Sequence, residues 1–171
     1  MNVKFLNPFL DAAIEVLKAE VGINVSRGNL DLQKTALTTD DVTVVIHLVG
    51  HVYGVVLIGL SVPTSLKIVS TIMGQEFNEF SELAQSGIAE LGNVITGQAT
   101  IKLSQAGYAA DISPPAMIIG KGVQISTLDF SRIVVPIRTD LGTITVHLAL
   151  REAQPGKPNQ PDEFVPLNLK I

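Results

Sequence analysis

In Val42-Thr43-Val44-Val45-Ile46-His47-Leu48-Val49-Gly50-His51-Val52-Tyr53-Gly54-Val55-Val56-Leu57-Ile58-Gly59-Leu60, β-branched and aliphatic residues dominate on both sides of Gly50-His51. Such side chains suit a pleated, buried surface, and the central glycine allows the chain to reverse, so the stretch reads as a β-hairpin. A second hairpin is expected far downstream, from Ile133 to Arg138, through a turn at Thr139-Asp140-Leu141-Gly142, and back along Thr143 to Leu150. Its alternation predicts one face in the core and one in water.

Around the hairpins the apolar period lengthens. Phe9, Ala13, Ile14, Leu17 and Val21 recur at three- and four-residue steps, which predicts a helix over Phe5 to Val21. Asn7-Pro8 supplies a cap and a first-turn proline, and Gly22 a stop. Pro63-Thr64 opens a short helix over Leu66 to Met73, ended by Gly74. A longer helix is expected from about Phe80 to Gly107, with Ala84, Ile88, Leu91, Ile95, Ala99 and Leu103 on its buried face. Short extended pieces follow around Pro114-Pro115 to Ile119 and Val123 to Ile125. After Arg151 the chain carries four of its nine prolines, at 155, 158, 161 and 166, so residues 152–171 read as a tail or wrapping arm beside a domain of residues 1–151.

The two halves resemble each other. Each runs helix, extended segment, hairpin, with Gly54 matched to Gly142. Asp11, Glu15 and Lys18 of the first helix lie over Ser86, Glu90 and Asn93 of the later one, and Gly22 over Gly97. The expected fold is therefore α+β, a pseudo-symmetric and mostly antiparallel sheet covered by two long helices and one shorter helix.

Bulk composition narrows the classes of function. A chain of 171 residues with 46% apolar and 16% charged residues has enough material for one sizeable core and is not disordered. Cysteine is absent, which removes disulfides and thiolate-bound zinc and suits a reducing compartment. Met1-Asn2-Val3-Lys4-Phe5 lacks the basic segment and apolar core of a signal peptide, and no apolar run reaches the ~20 residues that cross a bilayer. A cytoplasmic protein with no membrane span is expected. A net charge of −4 provides no basic surplus for nucleic acid.

The chemically informative stretch is Ser86-Gly87-Ile88-Ala89-Glu90-Leu91-Gly92-Asn93-Val94-Ile95-Thr96-Gly97. At about 100° per residue, Ser86, Glu90, Asn93 and Gly97 fall together, opposite the apolar stripe. Between Leu83 and Ile101 the only charged residue is Glu90, whereas solvated helix faces are normally rich in charge. Gly92 and Gly97 each cost a helix about 1 kcal/mol relative to alanine, and Gly97 lies where core packing does not require it. The face reads as a docking surface with one carboxylate and one carboxamide at its centre. Burial in a dimer, or helix–helix contact through the glycines, would give the same pattern, and periodicity does not choose between them.

The stretch resembles the signature of the chemotaxis phosphatase family of CheC, CheX and FliY: Asp or Ser, three residues, Glu, two residues, Asn, then a proline about twenty positions on. Ser86, Glu90 and Asn93 match, and Pro114 or Pro115 falls at the right distance. Val3-Lys4-Phe5-Leu6-Asn7-Pro8-Phe9 and the order of helices and hairpins are also similar to CheX, over about residues 1–151. The resemblance implies hydrolysis of the phospho-aspartate of a CheY-like receiver, in chemotaxis or another two-component circuit. Asn93 would orient the attacking water, Glu90 would pair with the receiver's lysine, and Ser86 and Gly97 would touch the partner. It further implies no cofactor or metal on this chain, Mg²⁺ on the receiver, and a homodimer. With Lys18 where the first helix would need an amide, one active site per chain is expected. The rival readings are a non-catalytic receiver-binding or scaffold module, similar to the middle domain of flagellar switch proteins, and a ligand-sensing domain. Switch domains generally lack the Glu-x-x-Asn pair, and exposure of Glu90 and Asn93 separates the phosphatase from the ligand-sensing domain.

Other polar residues carry less. His47, His51 and His147 lack acidic partners at metal-ligand spacing and read as structural or surface residues. Gly120-Lys121-Gly122 reads as a turn, and Asp40-Asp41 and Asp162-Glu163 as solvated charges.

Overall fold

The computed structural model describes residues 3–34, 36–127, 131–154 and 168–170. After a 3-10 turn at Val3–Phe5, helix α1 spans Leu6–Val16 and widens into a π-helical turn at Leu17–Val21. Gly22 closes it with φ 68°, a left-handed value that glycine adopts without a steric penalty. The expected cap at Asn7 is not used: the helix begins one residue earlier, and Pro8 lies within the first turn, where its missing N–H costs nothing. Strands β1 (Val25–Arg27), β2 (Asp31–Gln33) and β3 (Leu37–Thr38) follow, all too short to show a period in the sequence. The first hairpin is β4 (Val42–Gly50) and β5 (Val52–Leu60).

Helix α2 (Val62–Met73) is capped by Ser61, whose Oγ accepts from the Thr64 N–H, and is ended by Gly74 at φ 63°. The Asp41 carboxylate also accepts from the Val62 N–H at 3.0 Å, so it holds the start of α2 and is not merely a solvated turn charge. Helix α3 (Glu82–Gln105) is capped by Ser81. The chain continues through β6 (Ala110–Ile112), β7 (Ala116–Ile119) and β8 (Gln124–Ser126) to the second hairpin, β9 (Arg132–Thr139) and β10 (Gly142–Glu152). A last strand, β11 (Asn168–Lys170), pairs with β8. The prolines at 155, 158, 161 and 166 and Asp162-Glu163 lie outside the described residues.

The main sheet runs β1-β9-β10-β5-β4-β6, with β2 also on β9 and β7 also on β4, and every pair is antiparallel. The hairpins meet at its centre, where Ile144 opposes Leu60 and Glu152 opposes Val52. On either side the short strands are exchanged. Strand β1 of the first half pairs with β9 of the second, and β6 of the second pairs with β4 of the first. The Gly28 N–H donates to the Pro136 carbonyl at 2.7 Å, and the Ser113 N–H to the His47 carbonyl at 2.9 Å, so the two exchanges are equivalent. The pseudo-symmetric, mostly antiparallel α+β fold is thus a pair of interlocked repeats.

Helices α1, α2 and α3 cover one face of the sheet, and α1 packs along α3. The other face is not open to water, contrary to the alternation of the second hairpin. Val146, His147, Leu148, Ala149 and Leu150 are buried in succession. Val45, Val55, Leu57, Ile125 and Ala149 form a second apolar cluster, with Leu37 and Ile118 packed against it. The small sheet β11-β8-β3 contributes to this cover, and strands buried on both faces lose their alternation.

Two predictions follow from these contacts. Gly54 has φ 138°, and a Cβ there would collide with the Ala149 carbonyl across the central strand pair. Gly54→Ala should therefore lower stability by at least ~3 kcal/mol, read from the urea midpoint at unchanged slope. His147 is buried, its Nδ1 has no hydrogen-bond partner among the described residues, and burial, with a smaller contribution from the charge of Arg132, lowers its pKa from the ordinary imidazole value to about 3. Below pH ~6.5 the unfolded chain takes up a proton that the folded chain refuses until about pH 3, so acid destabilises the fold in this window. Urea titrations at a series of pH values should give a wild-type slope steeper than that of His147→Gln by ~1.4 kcal/mol per pH unit.

Candidate active site on the long helix

Ser81 starts α3 by accepting the Ala84 N–H, and the Gln85 side chain donates back to the Phe80 carbonyl at 3.0 Å. The apolar stripe then settles the rotation of the helix. Ala84, Ile88, Leu91, Ile95, Ala99 and Leu103 are all buried. Gly92 is buried as well, because a Cβ there would lie 3.0 Å from Cγ1 of Val44 on the sheet. Its cost in helix propensity is offset by a closer approach of helix to sheet.

The opposite face carries the expected residues together. Ser86 and Glu90 are exposed, and Asn93 and Gly97 are half-buried. The Asn93 amide donates to the Glu90 carboxylate, Nδ2 to Oε2, at 3.5 Å. No described residue donates to the Asn93 Oδ1, which leaves that carbonyl able to accept a hydrogen bond. A Cβ on Gly97 would meet only Cδ1 of Ile112, at an ordinary 3.9 Å, so internal packing does not demand glycine there. Leu83 and Ile101, two of the few exposed large apolar residues, extend the same stripe at either end. Pro114 and Pro115 occupy the loop between β6 and β7, the element that faces Gly97 through Ile112.

Chemically this is a neutral amide and a carboxylate held side by side on a rigid rod, next to apolar contact area. Among the described residues no group of three or more His, Cys, Asp or Glu could hold a metal ion. The arrangement can orient a polar atom and pair with a cation. It contains no nucleophile–base pair of the kind used in covalent catalysis.

The structure changes the register of the internal repeat. Gly22 ends the first helix in a left-handed conformation, and its counterpart is Gly107 at φ 89°, not the mid-helical Gly97. Buried Phe5, Leu6, Phe9, Leu10, Ala13 and Leu17 recur at constant spacing as Leu91, Gly92, Ile95, Thr96, Ala99 and Leu103. On that register Glu90 and Asn93 lie over Lys4 and Asn7, not over Glu15 and Lys18. Glu15 instead pairs with Lys102 of α3 at 2.9 Å. The π-helical turn adds one residue before Gly22, which a comparison of sequence patterns does not detect. In the hairpins, Gly54 opposes Leu48, and Leu48 corresponds to Ile137, so the counterpart of Gly54 is Ile144 and not Gly142.

The sequence reading also missed the surroundings of Glu90. Ser86 and Glu90 border a mostly apolar groove of about 410 Å³ that α3 shares with the end of α2 and the end of the first helix. Only an exposed acid on the last turn of one helix and two apolar residues at the end of another signal it, and nothing local links them.

Comparison with known proteins agrees with this fold. Residues 42–138 match the family model of the chemotaxis phosphatase CheX. The CheY-P phosphatase CheX of Thermotoga maritima is 30% identical over 128 residues, 74% of this chain and 83% of that protein. A CheC-like superfamily protein from Shewanella sp. PV-4 superposes with a TM-score of 0.81 at 31% identity, covering 88% of this chain and 99% of that one. The CheX of a CheX–CheY–BeF₃–Mg²⁺ complex from Borrelia burgdorferi superposes with a TM-score of 0.69 at 28% identity, covering 88% of this chain and 100% of that one. By the match over residues 42–138 and the shared identity with the Thermotoga protein, this chain belongs to the chemotaxis phosphatase CheX family.

Proposed function

We propose that the protein hydrolyses the aspartyl phosphate of a CheY-like response regulator in the cytoplasm, using the outer face of α3 as its active site. The observation that carries the reading is the isolated Glu90–Asn93 pair, turned outward on a helix stripe with no other charge. The phosphatase name of the Thermotoga relative and the CheY-bound state of the Borrelia relative support it.

In this reading α3 lies across the receiver's phosphorylation site. The receiver brings its own Mg²⁺ and lysine, which when bound neutralise the phosphoryl oxygens. Glu90 pairs with that lysine and fixes the pose of the docked helix. With its N–H₂ held by Glu90, Asn93 presents Oδ1 to a water and aims the water's oxygen at phosphorus, in line with the aspartate oxygen. The water–phosphorus bond forms as the aspartyl oxygen–phosphorus bond breaks. The bonding pair leaves on the aspartate carboxylate, and the product is inorganic phosphate. A neutral amide takes up no proton at neutral pH, so its contribution is orientation, which suits the loose transition state of phosphoryl transfer.

The repeat register gives this reading a control. Asn7 occupies the equivalent place on the first helix, but Lys4 stands where the glutamate would be and is bonded to Tyr108 and Glu152. One active site per chain follows, because a lysine there would repel the receiver's lysine.

Phosphate release from a phosphorylated CheY-like receiver of the same organism tests the proposal. Asn93→Ala should lower the catalysed rate at least ~10²-fold, as expected for loss of an orienting group. Glu90→Gln should lower kcat/KM by roughly tenfold, the loss of a charge-assisted contact. Asn7→Ala should leave the rate unchanged. A rate that survives Asn93→Ala, or falls equally with Asn7→Ala, would sink the assignment.

A further inference from the structure

The groove beside Glu90 is a second feature of the same face, and it depends on residues outside the Glu–Asn motif. Its apolar walls are Ile72 and Met73 at the end of α2 and Leu91 and Val94 on α3. Gly87 sets the spacing of the two helices, since a Cβ there would lie 2.6 Å from Cγ2 of Val69 and 2.8 Å from Cε of Met73. At the mouth stands Glu20, exposed, from the π-helical turn that ends the first helix. No lysine or arginine lines the groove, and neither Glu20 nor Glu90 takes part in an ion pair among the described residues.

An apolar wall ending in an uncompensated carboxylate matches a side chain of one kind: a long alkyl stem with a cationic head. Lysine and arginine lay their methylenes on apolar surface and keep the charge at its edge. Glu90 is engaged at the reaction centre, so the second acid is available for a second cation. We propose that this groove receives a lysine or arginine of the receiver, distinct from the one paired with Glu90, and that Glu20 is a specificity residue which accepts its head group. The inference rests on the phosphatase reading for the identity of the partner. The widened turn acquires a role, because Glu20 lies within it and lines the groove.

The test is affinity for a receiver loaded with beryllofluoride and Mg²⁺, measured by calorimetry at low salt and at 0.5 M salt (roughly a 4 Å screening length), together with steady-state hydrolysis. Glu20→Lys should weaken binding and raise KM by about tenfold at low salt, leave kcat within about twofold, and lose most of its effect at high salt. Asp31→Lys, an equal charge change on an exposed strand away from the groove, should leave affinity unaltered. Ile72→Ala should weaken binding at both salt concentrations, with the urea midpoint reporting that the domain is folded. Equal affinities for wild type and Glu20→Lys overturn the groove proposal while leaving the Asn93 chemistry standing. Weakened binding without any hydrolysis by wild type keeps the groove and removes the phosphatase. Failure of wild type to bind the loaded receiver removes both.

Discussion

The antiparallel ladder between β5 and β10 is the contact on which the molecule depends. It joins the last strand of each half over its full length, from Ile144–Leu60 to Glu152–Val52. Each hairpin alone would leave an edge and an apolar face in water, and a lone hairpin is at best marginally stable. Joined, the two present one continuous face that α1, α2 and α3 cover, and a second covered in part by the small sheet. Gly54 shows how tight the junction is, since there is no space for a Cβ against the Ala149 carbonyl.

The position of the outer face of α3 follows from that ladder. It sets the sheet on which α3 rests, and Gly92 lets the helix settle close to Val44. Three glycines of one helix thus serve three directions. Gly92 faces the sheet, Gly87 faces α2, and Gly97 is half-open on the outer side. Together they bring the helix down firmly and leave an outer stripe of small side chains. A rigid, shallow surface of this kind suits a mechanism that contributes position and little chemistry of its own.

Interlocked repeats make the asymmetry of the two halves visible. The fold position that carries Glu90 and Asn93 on α3 carries Lys4, in the turn before α1, and Asn7, on α1, so the two halves differ there in the sign of one charge. The first helix is also shorter and ends in a widened turn, which places Glu20 on the groove that Glu90 also lines. The half without the Glu–Asn pair contributes instead to the wall beside it.

Much of this was legible in the amino-acid sequence because it is local. β-branched and aliphatic runs around turn residues located both hairpins, a 3.6-residue apolar period located α1 and α3, and Pro63 and Gly74 marked α2. The outward rotation of Ser86, Glu90, Asn93 and Gly97 followed from the apolar stripe opposite them, and the structure agrees. The three-residue strands β1, β2 and β6 carry no period, so only their partners define them. Tertiary structure alone decided the rest: the covered second face, the exchange of strands between halves, the register of the repeat and the groove shared by Glu20, Ile72 and Glu90. Local pattern reports which side of a segment is apolar. Which segments meet, and in what register, is set by packing between residues far apart in the chain.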